Sequence, residues 1–250
     1  MVTKTESKKA LTADKYDEQW SVLADFVKYN PGVRHRNRLI LKLLHDVNFE
    51  TCVDVGCGRG ALLSLLRKIK ENAELTGVDF STETVAKNIT RIPGLTFEVL
   101  DIQKGALDEQ FDLVVCSEVL EHLERRGPAF SNLERMVKSG GHLLITVPAG
   151  KIFETERFFG HVSHPGEKEI TSLAQANNLE ILKMWKWGWP VYYLLKYVTN
   201  INSKWSLKNF GSGYYSPMSK FIANMLFYLN YLNINSRFGC QFFVLMKKSG

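Results

Sequence analysis

Long apolar runs are missing from this sequence. Hydrophobic residues make up 45% of its 250 residues, yet no uninterrupted stretch reaches the roughly 20 residues of a spanning helix. The nearest candidate is broken by Lys186, Gly188, Pro190 and Lys196, which argues against an integral membrane protein. Paired cysteine is also missing. Cys52, Cys57, Cys116 and Cys240 are scattered without metal-type spacing, and three of them fall in segments that read as buried strands or strand ends. That usage points to a reduced, cytoplasmic setting and offers no metal centre. Residues 1–10 are polar, and no apolar run follows that could form the core of a secretory signal, so export is not expected and disorder is expected only at this start.

What is present suits one α/β domain with a substantial core. The formal charge of +6 and pI near 9.0 are compatible with an anionic substrate, a membrane surface or nucleic acid, and alone choose none of them. From residue 51 to residue 148 short β-rich runs alternate with helical periodicity, the pattern of a parallel sheet covered on both faces. Strands are predicted at Thr51–Val55, Ala73–Val78, Leu95–Val99, Phe111–Cys116 and His142–Val147. Helices are predicted at Ala61–Glu71, Thr82–Arg91 and Pro128–Val137. Upstream, Tyr16–Val27 and Arg36–Val47 read as amphipathic helices separated by a turn at Asn30-Pro31-Gly32. Downstream, Glu167–Asn177 reads as a helix, Glu180–Trp185 as a strand, Met218–Leu232 as an amphipathic helix and Cys240–Lys247 as a closing strand. The expected organisation is a single domain over 1–250, with N-terminal helices at 11–47, a cofactor-binding core at 48–185, a lid at 151–166, a cap insertion at 186–239 and a closing strand at 240–248.

The segment Val53-Asp54-Val55-Gly56-Cys57-Gly58-Arg59-Gly60 ends a buried strand and opens a helix. Its glycines permit a tight turn and close approach of a ligand to the backbone, and the helix start offers unpaired N–H groups. Gly56, Gly58 and Ala61 also fit the dinucleotide pattern, so the turn alone discriminates weakly. Asp79, at the end of the second strand, is placed to accept from ribose hydroxyls, which supports an adenosine ligand of either kind. Asp54 separates the two. A carboxylate beside the turn repels a pyrophosphate but attracts an ammonium and a sulfonium.

With these residues in place, Val53–Gly60, Leu75–Ser81, Leu100–Ile102, Phe111–Leu123 and Lys138–Pro148 together resemble the ordered signature segments of class I S-adenosylmethionine-dependent methyltransferases. Ser117-Glu118-Val119-Leu120-Glu121-His122 is similar to the branch typified by quinone-biosynthesis enzymes. The resemblance implies a doubly wound, mostly parallel seven-stranded sheet whose last two strands form an antiparallel pair. It also implies S-adenosylmethionine as cofactor and S-adenosylhomocysteine as product. By the same likeness Asp54, Gly56, Cys57, Gly58 and Gly60 form the cofactor turn. Asp79, Phe80 and Ser81 hold ribose and adenine, Asp101 and Ile102 hold and stack on the adenine, and Ser117, Glu118 and Val119 line the methionyl side.

Beyond the cofactor, His161 and His164 follow the fifth strand. A histidine there is placed to take a proton from an acceptor hydroxyl, with a hydrogen-bonded lid as the competing reading. His161 is the stronger candidate, because relatives often carry Gly-His at this place. His122, on the same helix as Glu118, reads as positional. Arg34, Arg36 and Arg38 gather at one helix start. They form a solvated basic face or a grip on a carboxylate, either a substrate's or, at Arg36, the cofactor's. Trp185, Trp187, Trp189, Tyr192, Tyr193 and Tyr197 either pack the cap, line an apolar pocket or meet a membrane interface. The expected acceptor is a small metabolite, natural product or glycosyl group methylated on oxygen or nitrogen. The absence of an Asn/Asp-Pro-Pro-aromatic turn after the fourth strand argues against methylation of DNA amino groups. RNA methylation, a non-catalytic nucleotide-binding module, peripheral membrane docking and the oligomeric state stay open.

Overall fold

The computed structural model describes residues 24–211 and 213–250. Expected disorder at residues 1–10 and the first part of the predicted Tyr16–Val27 helix lie outside these residues. Strands β1 (Thr51–Val55), β2 (Glu74–Asp79), β3 (Thr96–Val99), β4 (Phe111–Ser117), β5 (Val137–Pro148), β6 (Leu179–Trp189), β7 (Ile234–Asn235) and β8 (Gln241–Lys248) form one sheet in the order β3-β2-β1-β4-β5-β8-β6-β7. The first five strands run parallel, and β8 is antiparallel to both β5 and β6. Eight strands therefore stand where seven were expected. The extra one is the two-residue β7, which pairs with the end of β6 through Trp187 and Trp189.

Side chains alternate between the two faces of each strand, and the core divides accordingly. Val53, Val55, Val114, Cys116, Ile145, Val244 and Met246 pack against helices α5 (Arg126–Arg135) and α7 (Glu167–Ala176). Cys52, Leu75, Leu113, Val115, Leu144, Phe243 and Leu245 pack on the opposite face against α2 (Pro31–Leu43) and α3 (Ala61–Ile69). All four cysteines are buried and free.

Helix α1 (Ala24–Tyr29) precedes α2. Asn30 caps α2 by accepting from the Gly32 and Val33 amides, with Pro31 in the first turn. The predicted turn is thus the N-terminus of the helix, which begins five residues before Arg36, because proline at N1 has no amide hydrogen to leave unpaired. Helix α4 (Thr82–Arg91) starts at Ser81, whose hydroxyl accepts from the Thr84 amide. The expected lid contains the short helix α6 (Glu154–Phe158), and the cap is built from α8 (Val191–Ile201), α9 (Ser203–Phe210) and α10 (Pro217–Leu229). Strand order reverses beside β1, whose neighbours are β2 and β4. Doubly wound sheets form their ligand crevice at the carboxyl end of such a switch point.

Candidate active site

Beyond β1 the chain turns sharply. Gly56 and Cys57 donate to the Val78 carbonyl at 2.8 and 3.0 Å, and Gly58 donates to Asp79 Oδ2 at 3.0 Å. Gly56 has φ +72°, and a Cβ there would overlap Val119 Cγ2. Glycine is needed at this position on both grounds. The Asn88 amide donates to the Gly58 carbonyl at 2.6 Å, so α4 also holds the turn. Asp79 Oδ1 accepts from the Ser81 amide at 3.0 Å.

Asp54 is buried in the middle of β1. Burial and the neighbouring Asp79 push its carboxyl up to about 7, against the pull of Arg36. Such a group gains from an arriving cation, which supplies the countercharge that burial withholds. After β4, Glu118 takes φ +60°. Its Oε1 accepts from Thr146 Oγ1 at 3.0 Å and Gln241 Nε2 at 2.7 Å, and its Oε2 lies 3.3 Å from Arg36 Nη1. Only a 3-10 turn at Leu120–His122 follows, so Glu118 and His122 do not share an α-helix as expected.

Three histidines meet beside this turn. His164 Nδ1 lies 3.1 Å from the Gly150 carbonyl, and His161 Nδ1 lies 3.0 Å from His164 Nε2. A carbonyl only accepts, so His164 carries its proton on Nδ1, its Nε2 accepts from His161, and His161 Nε2 is left with a lone pair. His122 Nδ1 faces the Gly160 carbonyl at 3.1 Å, which leaves Nε2 of that ring as an acceptor too. Burial lowers all three, His164 to about 4 and His161 to about 2. The cluster is neutral near pH 7. Next to it, the buried Glu121 carboxyl has no hydrogen-bond partner among the described residues, and burial and Glu118 raise it well above the ordinary carboxylate range. On the far side Glu156 Oε1 pairs with Lys196 Nζ at 2.6 Å.

A cavity of about 640 Å³ joins these parts. Of the residues named from the sequence, Asp54, Gly56, Cys57, Gly58, Asp79, Phe80, Asp101, Ile102, Ser117, Glu118, Val119 and Arg36 line it. Gly60, Ser81, His161 and His164 do not. Gly60 is the left-handed cap of α3 and faces Ile92 and Phe97, while Ser81 is spent on capping α4. The lid histidines are turned toward one another and toward Gly150, and the imidazole in the cavity wall is that of His122. Of the three arginines only Arg36 enters. Arg34 stacks on Phe227 and Arg38 on Tyr231, because residues two apart on a helix do not share a face. Trp187, for which packing, a pocket wall and a membrane interface were all open, is packed between His35 and Tyr192. Sequence reasoning missed Glu121, Glu156, Lys196 and Asn200. The last three lie in insertions where no motif marks them, Lys196 and Asn200 in the cavity wall, and Glu121 was within reach as a carboxyl between Leu120 and His122.

Similarity to known proteins decides between the two kinds of adenosine site. Residues 53–145 match the family described as "Methyltransferase domain". Over residues 53–145 the chain is similar to S-adenosylmethionine-dependent methyltransferases. It is 27% identical over 105 residues to "Putative methyltransferase 235L" of Invertebrate iridescent virus 6, covering 42% of this chain and 40% of that protein. It is 33% identical over 102 residues to "Ubiquinone biosynthesis O-methyltransferase" of Alkalilimnicola ehrlichii, covering 38% and 40%. Among solved structures, the N-methyltransferase NodS from Bradyrhizobium japonicum WM9 in complex with S-adenosylhomocysteine superposes with TM-score 0.56 at 25% identity, covering 69% of this chain and 88% of that one. The chain spans about half the length, or less, of the curated relatives it matches. The methyltransferase domain thus coincides with β1 to β5, and the cap lies outside the matched residues.

Proposed function

We propose that the chain transfers a methyl group from S-adenosylmethionine to an oxygen or nitrogen of a small molecule that has an apolar portion, a natural product, metabolite or glycosyl group. The observation that carries this reading is the continuity of the cavity. It runs from the Gly56–Gly58 turn, with Asp54 and Asp79 in its wall, to an aromatic and aliphatic end formed by Phe26, Phe159, Tyr192, Leu195 and Phe210.

The donor set fits the cofactor. Asp79 is fixed at the cavity wall by two backbone amides, where a carboxylate can accept from ribose hydroxyls, and Asp101 and Ile102 flank the adenine end. Asp54 and Glu118 provide negative charge for the cationic end, and Arg36 is placed to meet a carboxylate. When bound, the sulfonium supplies an electrophilic methyl carbon. The protein's part is to hold the nucleophile in line with it and to exclude water. For an oxygen acceptor, His122 Nε2 is the lone pair in the cavity wall that accepts the proton, and His161 and His164 hold the lid behind it. This moves the expected base from His161 to His122. An amine needs only to arrive neutral.

Calorimetry with S-adenosylhomocysteine and with NAD, followed by mass spectrometry of extracts incubated with labelled cofactor, tests the reading. Binding of S-adenosylhomocysteine without NAD, and label in a small product, is expected. Tighter binding of NAD overturns it.

A further inference from the structure

The exposed side chains of the cap run against the usual rule for a globular surface. In α8, Leu194, Tyr197, Val198 and Ile201 are exposed, at spacings of i, i+3, i+4 and i+7. In α10 and the turn after it, Met218, Phe221, Met225, Tyr228, Leu229 and Leu232 repeat the pattern. Amphipathic helices place such a stripe against the core. Here the protein-facing side of α10 carries Ser219, Ala223 and Phe227, the last against His35, while Met218, Phe221, Met225, Tyr228 and Leu229 face outward. Trp205, Tyr231, Ile234 and Phe238 extend the exposed set along the same segment. Single exposed apolar residues are ordinary, whereas a series of this kind marks a surface that something covers.

Charge selects what covers it. Nine lysines and arginines and no Asp or Glu follow Glu180, so the positive charge of the chain, +6 in all, resides in its last 70 residues. Lys204, Lys208 and Arg237 are exposed among the apolar side chains. Lys196, Lys220 and Lys248 pair with Glu156, Asp25 and Glu134, but a second copy of this surface would bring the exposed Lys204, Lys208 and Arg237 against like charge. An anionic bilayer satisfies both features, since headgroups pair with the cations and the acyl boundary takes the apolar stripe. Among the described residues no helix is long and apolar enough to cross a membrane, so the contact is peripheral.

We propose that the 191–238 cap is a docking surface for anionic lipid bilayers. The arrangement of α8 gives docking a use. Tyr192, Leu195, Lys196 and Thr199 of this helix line the cavity, while Leu194, Tyr197, Val198 and Ile201 face away from it. A docked cap sets the cavity about one helix diameter, ~10 Å, from the headgroups, so an acceptor partitioned into the bilayer has a short path to it. This use rests on the methyl-transfer reading. Docking itself is read without turnover, so the two fail separately.

The test is co-sedimentation of the full chain with vesicles of phosphatidylcholine alone and of phosphatidylcholine with added phosphatidylglycerol, at low and high salt. Binding to the anionic vesicles that weakens as salt is raised is expected. A triple substitution, Phe221→Ser, Met225→Ser and Tyr228→Ser, alters only outward side chains and is expected to lower partitioning about tenfold or more. The pair Ile69→Ser and Ile89→Ser, equally exposed but in the methyltransferase core, leaves it unchanged. Circular dichroism confirms that each variant is folded. Absence of binding at low salt, equal binding to both vesicles, or equal loss in the control pair overturns the proposal. So does self-association that the triple substitution abolishes while vesicles bind neither protein, which assigns the surface to a second copy.

Discussion

Asp79 Oδ2 accepts the Gly58 amide hydrogen at 3.0 Å, so the acid that ends β2 and the glycine turn that follows β1 are one unit. The same carboxylate accepts from the Ser81 amide at 3.0 Å. In the proposed reading Asp79 serves the fold and the ribose with the same two oxygens.

Asp79→Ala is expected to strand two buried amide donors as well as the ribose, costing about 1–3 kcal/mol of stability and about tenfold to hundredfold in S-adenosylhomocysteine affinity. Asp79→Asn keeps one acceptor oxygen and should fall between the two proteins in both measurements. Thermal denaturation and calorimetry check this. A variant that loses affinity at unchanged stability would mean that the amides find other acceptors.

Asp54 predicts a conflict between stability and binding. Its folded pKa of about 7 lies above the ordinary carboxylate value of 3.8, so the folded state binds the proton more tightly than the unfolded state. Its stabilising contribution is present below pH 3.8 and is lost as pH rises through about 7. Asp54→Asn is therefore expected to stabilise the ligand-free protein by about 2–4 kcal/mol at pH 8 and by little at pH 4. Affinity for the cationic cofactor should fall in the same variant. Denaturant melts at the two pH values decide the matter, and destabilisation at pH 8 would contradict the assigned burial.

Much of this site was legible before the structure. The strand-glycine-helix signal at Val53–Ala61, Asp79 at the end of a second β-rich run and Asp101-Ile102 all depend on local chemistry and periodicity, which sequence displays directly. The placement of the histidines depends on tertiary geometry. Whether His122 or His161 faces the cavity is fixed by which carbonyls, Gly160 and Gly150, lie near them, and these sit on segments that fold back from elsewhere. The reversed face of α10 was hidden for a related reason. Periodicity reveals that Met218–Leu232 has an apolar stripe but not that Ser219, Ala223 and Phe227 form its protein side.

Gly56 offers a test of the close approach. Gly56→Ala combines positive φ with overlap against Val119 Cγ2 and is expected to cost about 2–4 kcal/mol. Adding Val119→Ala relieves the overlap but not the backbone strain, so about half of the loss should return. Chemical denaturation of the single and double variants measures the coupling. Strict additivity of the two substitutions would show that Val119 does not limit the turn.

The last prediction separates the histidines. His122→Asn keeps a donor where Nδ1–H meets the Gly160 carbonyl but removes the Nε2 lone pair, so the lid stays anchored while the proton acceptor is lost. For an oxygen acceptor, turnover is expected to fall by about 10²–10⁴ with S-adenosylhomocysteine affinity nearly unchanged; for an amine acceptor it should change little. His161→Asn keeps the donor to His164 and should affect turnover less in either case. It should instead alter the response to acid. The folded pKa of His161, about 2, lies below the ordinary 6.5, so the protein is stabilised above pH 6.5 and loses that contribution as the pH falls toward 2. Removing the imidazole makes the melting temperature less sensitive to pH between 6.5 and 5. A turnover loss that follows His161 and spares His122 would return the base to the lid.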